Sequence, residues 1–266
     1  MVNNGRILQF KRGNSMKKIK RKHKIIGAFT IILIAFVIYF IQFTSLGYKI
    51  TVPLRGYIKV KDNIYIDKDF KGDKSNVLSI IAEANDRLTK FWGNTKSKPT
   101  IIISNNEKKL KKLGWTGNPA LTTTTVFFGA HSYVVIAPKG LNVDVTAHEL
   151  THAELHYRLY DGKIVHKTLI PTWFDEGIAT QNDYRENYNY DAWLKATNQG
   201  KKIINFSELN TLSQFYNSNI DVRRYNYIVS KHEVENWIKT HSVEDMIFLI
   251  NSINKGTAFH DLYYKE

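Results

Sequence analysis

The amino-acid sequence predicts an α+β fold that follows a single N-terminal transmembrane helix. Residues 25–43 form an apolar run without a charge. Short segments before residue 138 alternate apolar and polar residues or are rich in β-branched residues, which predicts strands, and longer segments after residue 141 repeat their apolar residues at helical spacing. We therefore expect the following organisation: a basic tail at 1–24, a transmembrane signal-anchor at 25–43, a linker at 44–56 and a domain at 57–266, with a small α/β half at 57–138 and a helical half at 141–266.

The run at 25–43 would be about 28 Å long as a helix, close to the hydrocarbon thickness of a bilayer. Of the net charge of +14, nine positive charges lie before Ile25, with no acidic residue among them. Lys and Arg hold their side of a span in the cytoplasm, so the domain is predicted to be extracytoplasmic and anchored to the cell membrane. A signal peptide cleaved near Gly47, which would release the domain, and a buried core helix are the alternatives, and the run lacks an amphipathic face. Met16, followed by KKIKRKHK, resembles a more natural start than Met1.

In the first half, apolar alternation predicts strands at 57–60 and 64–66. Apolar residues at helical spacing predict an amphipathic helix at 75–91, and the run of isoleucines within 99–103 predicts a short buried strand.

The segments at 122–128 and 133–137 are rich in β-formers and are separated by 129–131, which predicts a hairpin or two neighbouring strands. The helical half then contains six predicted helices, at 143–158, 171–183, 190–197, 222–240, 243–254 and 258–264.

Charge and cysteine content exclude several classes of protein. The nine charges of the tail leave only +5 for the rest of the chain, too little to form a basic face, so no nucleic-acid partner is expected. The chain has no cysteine, which excludes disulfides, thiolate ligands and a cysteine nucleophile. A bound metal must therefore be held by His, Asp or Glu.

Such a combination occurs at residues 148–152, which read His-Glu-Leu-Thr-His within a predicted helix. At 3.6 residues per turn, His148 and His152 lie above each other on one face, and their imidazoles can converge on one ion, the HExxH geometry for zinc. Glu149 lies about 100° around the helix, where it misses the ion but can reach a water on it and act as general base.

A zinc site for hydrolysis requires a third protein ligand. Arg158 stands where a metzincin has its third histidine. His156 lies two turns from His148, about 12 Å along the axis, which is too far to share an ion with both motif histidines. We expect His156 to be a surface histidine or a partner of a ligand.

The better candidate for the third ligand is Glu176, which follows His152 after 23 intervening residues. Pro171 can open a second helix that packs across the first and delivers this carboxylate to the same ion. Gly177 would permit close approach of two helices at the ligand, and Asp175 is the alternative ligand.

The segments HELTH and TWFDEGIAT together resemble the gluzincin zinc peptidases, the thermolysin-like and aminopeptidase-like group with HExxH on one helix and W-x-x-E-G-x-A on the next. The specific part of the resemblance covers residues 143–180. It implies a zincin-like fold and a Zn²⁺ ion bound by His148, His152 and Glu176, with Glu149 as the general base.

The resemblance also implies an edge strand beside the cleft, here 133–137, that binds an extended peptide by strand addition. It implies a further oxyanion donor in the helical half, for which Tyr227 is favoured and Tyr225 is the alternative. Thr180 stands where thermolysin-type enzymes have an aspartate, so the residue that supports a zinc histidine is unassigned, with Asp183 as a candidate.

The predicted function is that of a membrane-anchored extracytoplasmic zinc metallopeptidase acting on a peptide or protein substrate. The alternative is a catalytically inactive zinc-binding domain that recognises cell-envelope peptide or glycan, for which the aromatic segment 183–193 offers stacking rings. No G-x-M-x-N-type element precedes the motif, which favours an endopeptidase while leaving an aminopeptidase open. The oligomeric state is also left open.

Overall fold

The computed structural model describes residues 4–264 apart from residue 128, and it describes side chains from Lys24 onward. Residues 1–3 and the side chains of 4–23, which belong to the predicted basic tail, therefore lie outside the description. The chain divides into two compact units, Met1–Thr51 and Val52–Glu266.

The first unit contains two helices, α1 (Asn4–Phe43) and α2 (Ser45–Ile50). Within α1, residues Lys24–Phe43 are long and apolar enough to cross a membrane, and none of their side chains is buried. The helix α2 and a 3₁₀ turn at Val52–Leu54 lie within the predicted linker, which therefore contains more regular structure than the sequence suggested.

The second unit contains one mixed five-stranded sheet with the strand order β1-β2-β3-β5-β4. The β1–β2 and β4–β5 pairs are antiparallel, and β3 is parallel to both of its neighbours. The strands are β1 (Tyr57–Lys61), β2 (Ile64–Asp67), β3 (Thr100–Ile103), β4 (Ala120–Thr125) and β5 (His131–Ile136).

The expectation that 133–137 forms the edge strand is wrong. The predicted hairpin is present, but β5 lies between β3 and β4, so β4 takes the edge. Burial explains the order, because Val134, Val135 and Ile136 are fully buried, as expected of an inner strand, whereas β4 is mostly half-buried and rich in threonine. The predicted strand 122–128 begins earlier than expected and ends at Thr125, and residue 128 lies outside the described residues.

Each helix predicted for this unit is present, with ends within two residues of the prediction, and the predicted combination of a strand-containing half and a helical half is confirmed. Two short helices, α4 and α8, were not predicted. The helices are α3 (Lys74–Trp92), α4 (Glu107–Lys112), α5 (Val143–Arg158), α6 (Thr172–Gln181), α7 (Tyr190–Ala196), α8 (Leu212–Phe215), α9 (Ile220–Thr240), α10 (Val243–Asn254) and α11 (Phe259–Tyr263).

Helix α5 is the centre of the second unit. Asn142 caps its first turn, because the Asn142 side chain accepts a hydrogen bond from the Val145 N–H at 2.9 Å. The helix packs on β4 and β5 and contacts both α3 and α6. Helix α6 begins after Pro171, as predicted, and approaches α9 at Gly177, where a Cβ atom would lie 2.6 Å from the Ser230 carbonyl oxygen. The expected role of this glycine in close helix packing is therefore confirmed.

Candidate metal centre

The three predicted ligands lie together between α5 and α6. His148 and His152 occupy successive turns of α5, with their Nε2 atoms 3.2 Å apart. Oε2 of Glu176 lies 3.3 Å from Nε2 of His148 and 3.4 Å from Nε2 of His152. All three residues are buried, and the three atoms form a nearly equilateral triangle.

This triangle fits a tetrahedral metal ion. Ligands held at about 2.0–2.1 Å from such an ion are separated from one another by about 3.3 Å. In addition, Oε2 of Glu176 is buried without a hydrogen-bond partner among the described residues. A buried carboxylate oxygen without a donor is costly, and a cation at the centre of the triangle would satisfy it.

Tyr216 determines which oxygen of Glu176 faces the histidines. Its hydroxyl donates a short hydrogen bond to Oε1 of Glu176. This contact holds Oε1 on the far side and leaves Oε2 towards the two imidazoles. Burial and the charge of Glu176 raise the pKa of Tyr216, so its hydroxyl stays protonated and remains a donor at neutral pH.

The electrostatics of the centre also favour a cation. Burial alone would raise the pKa of Glu176, but the charge of His152 and the nearby imidazoles of His148 and His152 lower it to about 2. Burial opposes protonation of His152, yet the charges of Asp175 and Glu176 outweigh it and raise the His152 pKa well above its usual value. The carboxylates of Asp175 and Glu176 therefore attract positive charge, which either a proton on His152 or a metal ion can supply.

Asp175, the alternative ligand, instead contacts the outer nitrogen of a ligand histidine. Its Oδ1 lies 2.7 Å from Nδ1 of His152, while its Oδ2 lies 3.0 Å from Nε2 of His156. His156 is buried, so it is not the surface histidine that was one of the two expectations. It instead contacts Asp175, which in turn contacts the candidate ligand His152. A carboxylate on Nδ1 directs the Nε2 lone pair of His152 towards the centre.

Asp183 does not support a ligand histidine by a hydrogen bond. Its carboxylate is fully buried and accepts hydrogen bonds from Arg185, with Nε of Arg185 2.8 Å from Oδ1. Burial raises its pKa, but the hydrogen bond from Arg185 and the charge of His148 outweigh burial and lower it. The expectation for Asp183 is therefore wrong, since Asp175 holds the histidine that the sequence left without a partner.

Glu149 is half-buried and lies on the side of α5 that faces the edge strand β4. The hydroxyl of Thr122 lies 2.6 Å from Oε2 of Glu149 and 2.9 Å from its carbonyl oxygen. Glu149 is not among the three clustered ligand atoms. Its carboxylate is therefore oriented by a strand residue, and Glu149 directly follows the candidate ligand His148 on α5.

The two candidate tyrosines differ in position. The ring of Tyr227 lies 6.1 Å from the His148 ring and 5.7 Å from that of Tyr188, measured between centroids. The ring of Tyr225 instead lies under the ammonium group of Lys202, with Nζ of Lys202 3.9 Å from the ring centroid. Burial and the charge of Glu176 raise the pKa of Tyr227 well above its usual value, which keeps its hydroxyl protonated. Of the two, only Tyr227 contacts a predicted ligand.

Sequence reasoning missed Tyr216, Thr122 and the role of Asp175. A signal for Asp175 existed, because it directly precedes Glu176 on the helix that delivers the third ligand. A run of four threonines in β4 marked an unusual strand. Tyr216 had no signal, since it follows a short helix that the periodicity did not predict.

Comparison of this chain with protein-family models, curated proteins and solved structures finds no match. The site is thus defined by its own geometry, as a buried cluster of two histidines and a glutamate able to hold a metal ion. A second cluster, formed by His152, His156 and Asp175, also brings three possible ligand atoms together.

Proposed function

We propose that this chain is a membrane-anchored zinc metallopeptidase of the gluzincin type with a zincin-like fold, which hydrolyses peptide bonds on the extracytoplasmic side. The observation that carries the proposal is the triangle of Nε2 of His148, Nε2 of His152 and Oε2 of Glu176, with edges of 3.2–3.4 Å. The half-buried carboxylate of Glu149 adjoins it on α5.

The donor set favours zinc. Two imidazole nitrogens and one carboxylate oxygen, with a fourth position left for water or substrate, are the usual protein ligands of a catalytic zinc ion. When bound, zinc lowers the pKa of a coordinated water towards 7 and polarises a carbonyl group. His148, His152 and Glu176 would hold the ion.

Glu149 is proposed as the general base. Its carboxylate accepts a proton from the attacking water and later returns that proton to the leaving amine. The Thr122 hydroxyl, 2.6 Å from Oε2, restricts the rotation of this carboxylate. The other oxygen of Glu149 can then accept the proton from water.

The edge strand β4 is proposed to bind the substrate. The Ala137 N–H donates to the Pro119 carbonyl at 3.0 Å, which fixes the hydrogen-bonded pairs of the β4–β5 hairpin. Hydrogen-bonded and non-hydrogen-bonded pairs alternate along an antiparallel ladder. The backbone N–H and C=O groups of Ala120, Thr122 and Thr124 therefore point away from β5, towards the open edge of the sheet. A peptide added there as a strand would pass beside Glu149, because the Thr122 side chain contacts that carboxylate.

Tyr227 is proposed to stabilise the oxyanion. Its ring lies against that of His148, and its raised pKa keeps a proton available for donation. A donor placed where negative charge develops is among the largest contributions to acyl-transfer catalysis.

The membrane anchor is proposed from the first unit. Residues Lys24–Phe43 have the length and composition of a span, and nine basic residues precede Ile25. Basic residues on one side of a span favour the cytoplasm for that side, so we propose that the second unit is extracytoplasmic.

The proposal is tested on the full chain, purified in detergent as wild type and as Glu149→Gln. We expect both proteins to bind one zinc ion per chain, measured by elemental mass spectrometry. The wild type should cleave members of a peptide library, whereas Glu149→Gln should lose at least about 100-fold in cleavage rate, because removal of a general base costs about 10²–10⁴-fold. The matched control is Glu107→Gln, since Glu107 is exposed on α4 and pairs with Lys111.

Each remaining outcome has a defined meaning. Zinc without cleavage in the wild type would favour the catalytically inactive zinc-binding domain. Cleavage by Glu149→Gln at the wild-type rate would remove Glu149 from the mechanism. A wild type without zinc and without cleavage would overturn the proposed function.

A further inference from the structure

The carboxylate of Asp175 is shared by two histidines of α5, and only one of them is a predicted metal ligand. Its Oδ1 contacts Nδ1 of His152 at 2.7 Å, and its Oδ2 contacts Nε2 of His156 at 3.0 Å. His156 is only 6% exposed. A carboxylate can only accept hydrogen bonds, so both rings donate an N–H to Asp175.

The network continues from His156 to the edge strand. Nδ1 of His156 lies 3.1 Å from the Thr124 hydroxyl, and that hydroxyl lies 2.8 Å from the Ser132 hydroxyl. One arrangement of protons satisfies the whole path with both histidines neutral. Ser132 donates to Thr124, Thr124 donates to Nδ1 of His156, and Nε2–H of His156 donates to Asp175.

At the other end of the path, Nδ1–H of His152 donates to Asp175, which leaves the Nε2 lone pair of His152 directed at the metal centre. Because a carboxylate can only accept hydrogen bonds, Asp175 selects the tautomer of both histidines, and the Thr124 hydroxyl, which can donate or accept, donates to Nδ1 of His156.

The geometry of this second cluster differs from that of a metal site. In the ligand triangle, one oxygen of Glu176 lies at nearly equal distances from two nitrogens, 3.3 Å and 3.4 Å. In the second cluster, each histidine contacts a different oxygen of Asp175, at 2.7 Å and 3.0 Å. Two separate short contacts are typical of hydrogen bonds rather than of shared coordination.

We propose that His156 is a positioning residue for the metal ligand His152. It acts through Asp175, and through Thr124 it ties the metal centre to the edge strand β4. The inference rests on the proposed zinc site. With Oδ2 held by His156, the carboxylate cannot rotate away from His152, so the imidazole of His152 keeps the orientation that zinc requires.

Zinc affinity of the full chain, measured by competition with a chelator, tests the proposal without any assay of hydrolysis. We expect His156→Leu to bind zinc about 10-fold to 100-fold more weakly, the usual cost of losing a group that orients a ligand. His156→Gln should restore affinity to within about threefold, because its amide can donate to Asp175 and accept from Thr124. The matched control is His166→Leu, since His166 also contacts an aspartate at 3.0 Å but lies outside both clusters.

A second variant leaves His156 in place. Thr124→Val removes only the hydroxyl that contacts Nδ1 of His156, and we expect zinc binding to weaken about fivefold, the equivalent of one ordinary hydrogen bond. This variant decides the question if His156→Leu does not fold, which the thermal midpoint of the metal-free protein would reveal.

Unchanged zinc affinity in folded His156→Leu, or in Thr124→Val when the former does not fold, would overturn the proposal. Two zinc ions per wild-type chain, falling to one in His156→Leu, would also overturn it and assign His156 as a ligand. A wild type that binds no zinc would overturn both this inference and the proposed function. A wild type that binds zinc but cleaves no peptide would contradict only the proposed function, because the affinity comparison would still decide the role of His156.

Discussion

The side of the metal centre that faces β4 is built from hydrogen bonds, whereas the side that faces α9 is built from packed rings. On the β4 side, Thr122 contacts Glu149 at 2.6 Å and Thr124 contacts His156 at 3.1 Å. On the α9 side, the Tyr227 ring packs against His148 and against Phe215, with centroids 6.1 Å and 5.1 Å apart. We call these the strand wall (Thr122, Thr124, His156 and Asp175) and the aromatic wall (Tyr188, Phe215 and Tyr227).

The two histidines that are candidate ligands show the effect of this difference. Nδ1 of His152 contacts Asp175 of the strand wall at 2.7 Å. Nδ1 of His148, beside the aromatic wall, is buried without a hydrogen-bond partner among the described residues. Hydrogen bonds fix the direction of a lone pair, while packed rings fix only position and exclude water. We therefore expect the strand wall to control metal affinity and the aromatic wall to control the chemical step.

The largest expected effect tests the aromatic wall. Tyr227→Phe keeps the ring beside His148 but removes the hydroxyl, so cleavage should fall about 100-fold to 1,000-fold, as for loss of an oxyanion donor. Zinc affinity should stay within about threefold of the wild type, because no zinc ligand changes. Steady-state kinetics and chelator competition measure the two quantities.

Tyr225→Phe is the control for this experiment, since Tyr225 contacts Lys202 rather than a ligand. Both activity and affinity should stay at wild-type values in this variant. A large loss of zinc affinity in Tyr227→Phe would show that the aromatic wall orients the metal, and the proposed division between the two walls would be wrong.

The clustering of the candidate ligands was predictable because their chemistry is local. Two histidines four residues apart lie on one helix face whatever the rest of the fold does, and the triangle contains both His148 and His152. Predicting Glu176 as the third ligand also required a second helix that packs close to α5. Pro171 marked the start of that helix and Gly177 marked its closest packing, so the sequence carried enough information.

The walls were harder to predict because they depend on which strand occupies the edge of the sheet. Both strands of the hairpin are rich in β-formers, and nothing local states which of them pairs with β3. With β5 in the edge position, Thr122 and Thr124 would have had no reason to face α5. The sequence indicates Asp175 only as an alternative ligand, since its contact with Nδ1 of His152 depends on the angle between α5 and α6.

An intermediate effect is expected for the strand wall. Asp175→Asn keeps an acceptor for Nδ1 of His152 but removes the negative charge, and its amide must turn an N–H either towards His152 or towards His156. Zinc affinity should fall about 10-fold to 100-fold. The thermal midpoint of the metal-free protein provides a check on folding.

The matched control is Asp161→Asn, since Asp161 also pairs with a histidine, His166, but lies outside both clusters. This control should leave zinc affinity unchanged. If Asp175→Asn also bound zinc like the wild type, the hydrogen bond to His152 would not set metal affinity, and the strand wall would lose its proposed role.

The smallest effect at the metal is expected from the contact that brings α6 close to α9. A Cβ atom on Gly177 would lie 2.6 Å from the Ser230 carbonyl oxygen and 2.7 Å from a methyl group of Val234. Overpacking of this kind costs about 1–3 kcal/mol, while alanine gains up to about 1 kcal/mol over glycine in helix propensity. Gly177→Ala should therefore lower the free energy of unfolding by about 1–2 kcal/mol, measured by denaturant titration, with zinc affinity within about threefold of the wild type.

Two further variants separate packing from propensity. Val234→Ala should not rescue Gly177→Ala, because the nearest atom is a backbone oxygen that no side-chain change removes. Ser79→Ala, at an exposed position of α3, should stay within about 0.5 kcal/mol of the wild type. A Gly177→Ala protein more stable than the wild type would mean that α6 and α9 can separate at no cost. The aromatic wall, which contacts His148 through Tyr227 of α9, would then constrain the position of His148 less than its packing suggests. The strand wall alone would determine the geometry of the site.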